Sequence, residues 1–272
     1  MKTYDPNQNQ VDAGGQFPDE DGFFYSGPSP RVWAGYLKNR LRQALRPLPQ
    51  ERDGKMAGPP WSGDPELIAG LAQAKRFQCR GAGIRDLSFL EGLTQLKELD
   101  LWDNDIEDLS PLASLTGLRE LWLPYNLITD LSPLAGLDKL VQLHVYGNRI
   151  TSLEPLRGLT SLNTLDLRGN PLEPGALACL RKCKRLGMVN LSKTGLGDAG
   201  GLEFCRAHVL ELQDNPGLTG MEVISTMKRL CCLYLDTGVA RRYDIQALAP
   251  QLIEYGEMDG LSVYVWPEKY YN

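Results

Sequence analysis

The residues best suited to chemistry in this sequence are a histidine and an aspartate in matching places of neighbouring 22-residue segments. His144 is one of two histidines in the 272-residue chain, and Asp166 follows it by 22 positions. A carboxylate beside an imidazole supports proton transfer, but nucleophilic catalysis also needs a serine or cysteine within reach of the base. Ser192 and Cys232 hold comparable places only in other segments. We predict no catalytic residues and no enzyme, and keep an enzyme that uses His144 and Asp166 as an alternative.

Sequence motifs for cofactors and metals are missing. There is no phosphate-binding loop, dinucleotide fingerprint, HExxH or GxSxG pattern. The cysteines form no CxxC pair and match neither a zinc site nor a disulfide framework; they are Cys79, Cys179, Cys183, Cys205, Cys231 and Cys232. We predict no cofactor and no metal site, a core position for Cys79, and a reducing, cytoplasmic setting.

The composition indicates a folded protein with a small excess of acidic residues. Apolar residues make up 42% of the chain and charged residues 23%, and the net charge is −5. A nucleic-acid binder needs dense lysine and arginine, so we expect no nucleic-acid partner. The N-terminus has no apolar run typical of a signal peptide, and no stretch is long enough to span a bilayer, so we expect no membrane partner.

The leucines define a repeat that accounts for most of the chain. Segments with the pattern LxxLxLxxN start at Ala74, Leu96, Leu118, Leu140, Leu162, Leu186, Ala207 and Leu230, with an imperfect ninth at Leu252. Within "LKELDL", Leu99 and Leu101 alternate on one face of a short strand. One segment cannot bury its leucines alone, so successive segments are expected to stack into a solenoid with a continuous core.

With "IxDLSPLxxL" after the asparagine, the segments resemble the internalin-type repeats of bacterial leucine-rich repeat proteins and are also similar to the phosphatase-regulator type. The resemblance covers roughly residues 74–258 and is most specific over 96–185. It implies an α/β solenoid, a leucine-rich repeat horseshoe with short parallel strands on its concave face. The prolines Pro111, Pro133 and Pro155 favour 3₁₀-like connections on the convex side.

The pattern also assigns the polar and aromatic residues. An asparagine column is predicted to bond backbone groups that turn inward after each strand: Asn104, Asn126, Asn148, Asn170 and Asn215. Residues at the second, fourth and sixth places after the leading leucine are expected to face outward on the concave face. The predicted partner-binding residues, with two from the adjoining rim, are Glu98, Asp100, Trp102, Asp103, Glu120, Trp122, Tyr125, His144, Tyr146, Asp166 and Arg168.

The aromatic members of this set are predicted to be solvent-facing in the free protein, unless the N-terminal tail covers them. Acidic residues outnumber basic ones on the same face by eight to four: Glu98, Asp100, Asp103, Glu120, Asp166, Glu211, Asp214 and Asp236, against Arg76, Arg80, Arg168 and Lys193. This balance favours a protein partner with a basic contact surface.

The chain ends are expected to differ from the repeats. We predict a flexible segment over residues 1–30, a helical N-terminal cap over 31–73, about eight repeats over 74–251, and a last strand with a hairpin cap over 252–272. The caps would cover the two open ends of the solenoid.

These expectations favour a non-catalytic protein-recognition module that is a monomer when free and binds a partner protein through its concave face. The most concrete version is an inhibitor or immunity-type protein. A regulatory subunit or scaffold for a cytoplasmic enzyme, which the resemblance to the phosphatase-regulator repeats implies, is an alternative.

Overall fold

A computed structural model describes residues 16–18, 24–26, 74–81, 83–252 and 254–257 of the chain. Two short strands, β1 (Gln16–Pro18) and β2 (Phe24–Ser26), pair antiparallel. The predicted helical cap over 31–73 and residues 258–272 of the predicted hairpin cap lie outside the described residues.

The repeats form one parallel sheet of nine strands, whose order follows the order of the chain. The strands are β3 (Arg76–Gln78), β4 (Glu98–Asp100), β5 (Glu120–Trp122), β6 (Gln142–His144), β7 (Thr164–Asp166), β8 (Met188–Asn190), β9 (Val209–Glu211), β10 (Cys232–Leu235) and β11 (Glu254–Glu257). The last strand pairs with β10, so the imperfect segment at Leu252 also adds a strand to the sheet. This architecture confirms the predicted solenoid.

The chain returns between strands through 3₁₀ helices, as the prolines predict. These are η1 (Ser88–Leu90), η2 (Ser110–Ser114), η3 (Ser132–Leu134), η4 (Glu154–Gly158), η5 (Ala176–Lys182), η6 (Gly200–Phe204) and η7 (Met221–Thr226). In η2, η3 and η4 a proline stands in the first turn, where its missing N–H costs no hydrogen bond. Two short α-helices, α1 (Thr237–Ala240) and α2 (Ile245–Leu248), follow β10.

The core lies between the sheet and the 3₁₀ helices. Leu99 lies in β4 and Leu101 directly follows it, Leu112 and Leu115 come from the return, and all four are fully buried. Each buried leucine contributes roughly 1.5–3 kcal/mol of transfer free energy. Cys79 is buried in the same core.

The asparagine column joins one repeat to the next. The Asn126 amide nitrogen donates to the carbonyl oxygens of Leu101 (3.1 Å), Leu123 (3.1 Å) and Pro124 (3.2 Å), and its oxygen accepts from the Ile106 N–H at 3.0 Å. Asn126 is buried, so these bonds replace the water that its amide and the turning backbone would otherwise need. They fix the position of the backbone that ends each strand.

One repeat without asparagine uses a different polar group at the same place. Thr194 is buried, and its hydroxyl donates to the carbonyl oxygen of Leu191 at 2.7 Å. Asn215 of the following repeat accepts from the Thr194 N–H at 3.2 Å. The turn after β8 is therefore hydrogen-bonded despite the change of residue.

Candidate partner-binding surface

The strand register brings the predicted outward residues into rows that cross the sheet. Asp100 lies opposite Trp122, Trp122 opposite His144, and His144 opposite Asp166. We call this side of the sheet, opposite the core leucines, the concave face. Adjacent strands are about 4.8 Å apart, so residues 22 positions apart in sequence become neighbours.

Three rings meet where strands β4 to β6 end. The Trp102 and Tyr146 ring centroids are 5.8 Å apart and nearly perpendicular, as are those of Tyr125 and Tyr146 at 5.2 Å. Trp102 and Tyr125 are 6.1 Å apart. Edge-to-face pairs at these distances are favourable. We call Trp102, Tyr125 and Tyr146 the ring cluster.

Two arginines flank the ring cluster. The Arg80 guanidinium carbon lies 5.3 Å from the Trp102 ring centroid, and that of Arg168 lies 4.6 Å from the Tyr146 ring centroid. Both distances are within the range of cation–π attraction. The cluster is therefore an aromatic surface with a cation on either side.

A second aromatic pair lies one row away. The Trp122 and His144 rings stack at 5.8 Å with an angle of 9° between their planes. Burial lowers the pKa of His144 to about 4, although the Asp100 carboxylate opposes the shift. The imidazole is therefore neutral at physiological pH.

The prediction that all the rings face solvent is only partly correct. Tyr125 is 51% exposed and is the one exposed large hydrophobic side chain among the described residues. Trp102, Trp122, His144 and Tyr146 are half-buried, because the rings cover one another. Alternation along a strand predicts on which side of the sheet a ring lies, but it does not predict the contacts between rings of different strands.

The two central carboxylates are not solvent-facing either. Asp100 is 8% exposed and accepts from the Arg80 Nε at 2.7 Å, while Asp166 is 7% exposed and accepts from the Arg168 N–H at 3.1 Å. Burial raises the pKa of Asp166 to about 6, against the opposing effect of Arg168.

The acidic excess of the face is smaller than the residue count suggests. Arg76 forms an ion pair with Glu98, and Arg80 forms one with Asp100. Glu211 is buried and accepts from the Asn190 amide at 2.9 Å. Burial and the nearby Glu98 carboxylate raise the pKa of Glu120, while Asp103 on the rim is exposed.

His144 and Asp166 lie side by side without forming a catalytic pair. Their strands are in register, yet no hydrogen bond links these two described side chains. The imidazole instead stacks on Trp122, and the carboxylate is bonded to the Arg168 backbone. Geometry for proton relay between them is not formed in this structure.

The left-handed turn at Tyr125 was not anticipated from the sequence. Its φ is +51°, and the equivalent places in the next two repeats are Gly147 (φ +67°) and Gly169 (φ +71°). A Cβ on Gly147 would lie 2.6 Å from the Tyr125 Cδ1, so this glycine makes room for the ring. Glycines before the asparagine column are the signal that could have revealed the turn.

Comparison with known proteins identifies the repeat. Residues 94–136, 116–158 and 138–174 match the family profile described as leucine rich repeats (2 copies). No curated protein matches the sequence at a significant level. The repeats are thus leucine-rich repeats over 94–174.

Solved structures share the fold at low sequence identity. Internalin InlF of Listeria monocytogenes is 24% identical with a TM-score of 0.59; the match covers 72% of this chain but only 65% of that one, less than two thirds of its length. Internalin C2 of the same species is 22% identical with a TM-score of 0.61, over 85% of this chain and 94% of that one. A third match is the LRR ectodomain of the Arabidopsis thaliana receptor kinase GASSHO1/SCHENGEN3, solved in complex with CASPARIAN STRIP INTEGRITY FACTOR 2. It is 16% identical with a TM-score of 0.50, and the match covers 71% of this chain and 28% of that one.

Two further properties concern only the described part of the chain. None of its helices combines the length and apolar character needed to cross a membrane. It also contains no group of three or more His, Cys, Asp or Glu side chains arranged to hold a metal ion.

Proposed function

We propose that this solenoid of internalin-type leucine-rich repeats is a non-catalytic recognition module that binds a partner protein through its concave face. The observation that carries the proposal is the ring cluster, in which Tyr125 exposes half of its surface while the Trp102 and Tyr146 rings pack against it. Tryptophan, tyrosine and arginine are enriched among residues that dominate binding energy. Here all three types meet at one place.

The way the face is built favours tight binding at small entropic cost. The ring cluster lies on strands whose ends are held by buried asparagine bonds, such as those of Asn126 and Asn148. Side chains already ordered by their neighbours lose little freedom on association. The plant ectodomain solved in complex shows that a protein of this fold has been observed with a bound molecule.

The most concrete form of this function is inhibition, as by an immunity-type protein of a bacterium. A preformed face without catalytic geometry acts by occupying a surface of its partner, and Asp103 and Glu120 favour a partner with basic groups. The six cysteines are free and five of them are buried, which suits a reducing cytoplasm. We propose that the free protein is a monomer.

Affinity capture tests the proposal. Immobilised wild-type protein, a Trp102→Ala/Tyr125→Gly variant and an Arg149→Ala control would be exposed to extract of the source cells, and the bound proteins quantified by mass spectrometry. Arg149 is exposed and lies outside the concave rows. We expect wild type and control to retain the same protein and the double variant to lose it, at a cost of about 2 kcal/mol or more.

Two results would count against this function. Retention of every captured protein by a folded double variant would exclude the ring cluster as the anchor. Turnover of a captured molecule that disappears in His144→Ala, with binding unchanged, would favour the enzyme instead.

A further inference from the structure

A second charged surface lies away from the ring cluster, along the edge where strands β8 to β10 begin. Two adjoining hollows there share Lys184, Arg206 and Arg229, and Glu203 is the single acidic residue that lines either hollow within the described part of the chain. We call the following six residues, all exposed, the cationic edge: Arg181, Lys184, Arg185, Arg206, Lys228 and Arg229. It stands out in a chain of net charge −5.

Three of these arginines occupy one position of the repeat. Arg185, Arg206 and Arg229 each directly precede the residue that opens a segment. Backbone bonds just beyond them, from the His208 N–H to the Gly187 carbonyl at 2.7 Å and from the Cys231 N–H to the His208 carbonyl at 2.9 Å, keep the turns in register. The arginine backbones therefore follow one another at about one strand spacing, roughly 5 Å.

The same position carries no such series in the earlier repeats, where it is occupied by Gln95, Gly117, Lys139 and Ser161. Like charges about one strand spacing apart repel one another, since this separation is shorter than the screening length at physiological salt. Arg185, Arg206 and Arg229 form no ion pair with any acidic residue that the structure describes, whereas Arg76 and Arg80 at the other end of the solenoid are paired. The repulsion is thus not relieved within the described repeats, and an anionic ligand would relieve it.

The chemistry of the edge favours carboxylates over nucleic acid. The planar fork of arginine binds carboxylates and phosphates alike with two hydrogen bonds, so the choice between them rests on the other residues of the hollows. Binding of single-stranded nucleic acid relies on exposed aromatic rings for stacking, and no phenylalanine, tyrosine or tryptophan lines either hollow. The other residues that line the hollows include Thr226, Met227 and Leu186. We propose that the cationic edge binds an acidic peptide segment of a partner protein, separately from the concave face.

A direct binding measurement tests this site. Fluorescein-labelled hexaglutamate would be titrated with wild-type protein, and fluorescence anisotropy recorded at low and at physiological salt. The test variant is Arg185→Glu/Arg206→Glu/Arg229→Glu. Its control, Lys75→Glu/Arg149→Glu/Arg241→Glu, makes the same change in net charge at three exposed positions elsewhere on the described repeats.

We expect wild type and control to bind with similar, salt-sensitive affinity, and the test variant to bind at least about tenfold more weakly. Should the reversed charges disturb folding, the milder Arg185→Gln/Arg206→Gln/Arg229→Gln variant is expected to weaken binding in the same direction. Tyr125→Gly should bind the peptide as wild type does, because the ring cluster is a different surface.

Three results would overturn the proposal. If the wild type does not bind the peptide, the site is excluded. If the test and control variants lose the same affinity for the peptide, binding is due to net charge and not to the cationic edge. Tighter binding of a labelled DNA oligonucleotide with the same number of charges would assign the edge to nucleic acid instead.

Discussion

Tyr125 adopts a left-handed backbone conformation at a repeat position that is glycine in the two following repeats and is Asp103, Lys193 or Asp214 in others. Its φ of +51° places a bulky side chain in the left-handed region, which costs about 1–2 kcal/mol for a residue with a Cβ. The same conformation directs the ring over Gly147 and against Tyr146. Because the same conformation recurs along the solenoid, it belongs to the turn of the repeat. What distinguishes Tyr125 is the large exposed ring that this turn carries.

Two substitutions at this residue separate strain from ring contacts. Tyr125→Ala removes the ring but keeps a Cβ in the left-handed region, whereas Tyr125→Gly removes both. We expect the glycine variant to be more stable than the alanine variant by about 1 kcal/mol, measured as the free energy of unfolding in urea. Equal stability of the two variants would show that the turn is not strained.

The pH dependence of stability tests the burial of His144 and Asp166. The folded-state pKa of His144 is lowered from 6.5 to about 4, so the unfolded chain binds the extra proton and stability falls as pH drops from 6.5 towards 4. The folded-state pKa of Asp166 is raised from 3.8 to about 6, so its contribution to stability is lost as pH rises over nearly the same range. The two effects oppose each other.

Each single variant should therefore show the pH dependence of stability that the opposing group masks in the wild type. We expect the unfolding free energy of Asp166→Asn to rise more steeply from pH 4 to 6.5 than that of wild type, and that of His144→Gln to rise less or to fall. Urea denaturation across this range measures both slopes. Identical slopes in all three proteins would mean that neither group is shifted by burial.

At the level of elements, the strands and returns follow directly from residue spacing. Leu121 and Leu123 had to share a face because side chains alternate along a strand. Pro133 is tolerated only in the first turn of a helix, which favours the short return of η3. The cover over Asp100 depends instead on how far Arg80 and Trp102 of the adjoining row reach. Such contacts across repeats are set by side-chain conformation, which a one-dimensional pattern does not contain.

The buried asparagines are expected to be the most sensitive polar positions of the elements. Asn126→Ala leaves the Ile106 N–H and several carbonyl oxygens without a partner in the interior. We expect a loss of about 3 kcal/mol or more in unfolding free energy. The matched control is Asn163→Ala, since Asn163 is exposed and donates one bond to the Arg185 carbonyl at 3.0 Å. It should cost no more than about 1 kcal/mol, and equal losses would contradict the structural role of the column.

At the scale of the whole molecule, the repeats allow the fold to be predicted from the sequence. The binding surfaces cannot be predicted in the same way. Each strand pairs with its sequence neighbours, so a local pattern repeated along the chain specifies the architecture. The two surfaces arise where repeats depart from the common pattern, at Trp102 and Tyr125 and again at Arg206 and Arg229. Their residues are visible in the sequence, but their grouping depends on three-dimensional register.

Thiol reactivity tests the packing of the whole solenoid. Five cysteines are buried, and burial raises the pKa of Cys179 to about 12 and that of Cys205 to about 11. A thiol reacts as thiolate, so we expect Cys231, the one that is not fully buried, to react alone with a disulfide reagent in the native state. All six should react in denaturant, and Cys231→Ser should abolish the native reaction. Rapid reaction of several native thiols would contradict the packing described.

Binding of a partner protein through the ring cluster of the concave face can be measured by hydroxyl-radical footprinting of the complex with the captured partner. Oxidation of individual side chains would be quantified by mass spectrometry, with Tyr243, a half-buried tyrosine outside the concave rows, as internal reference. We expect partner binding to reduce the oxidation of Tyr125 strongly and to leave that of Tyr243 unchanged. Unchanged oxidation of Tyr125 in a saturated complex would contradict binding through the ring cluster.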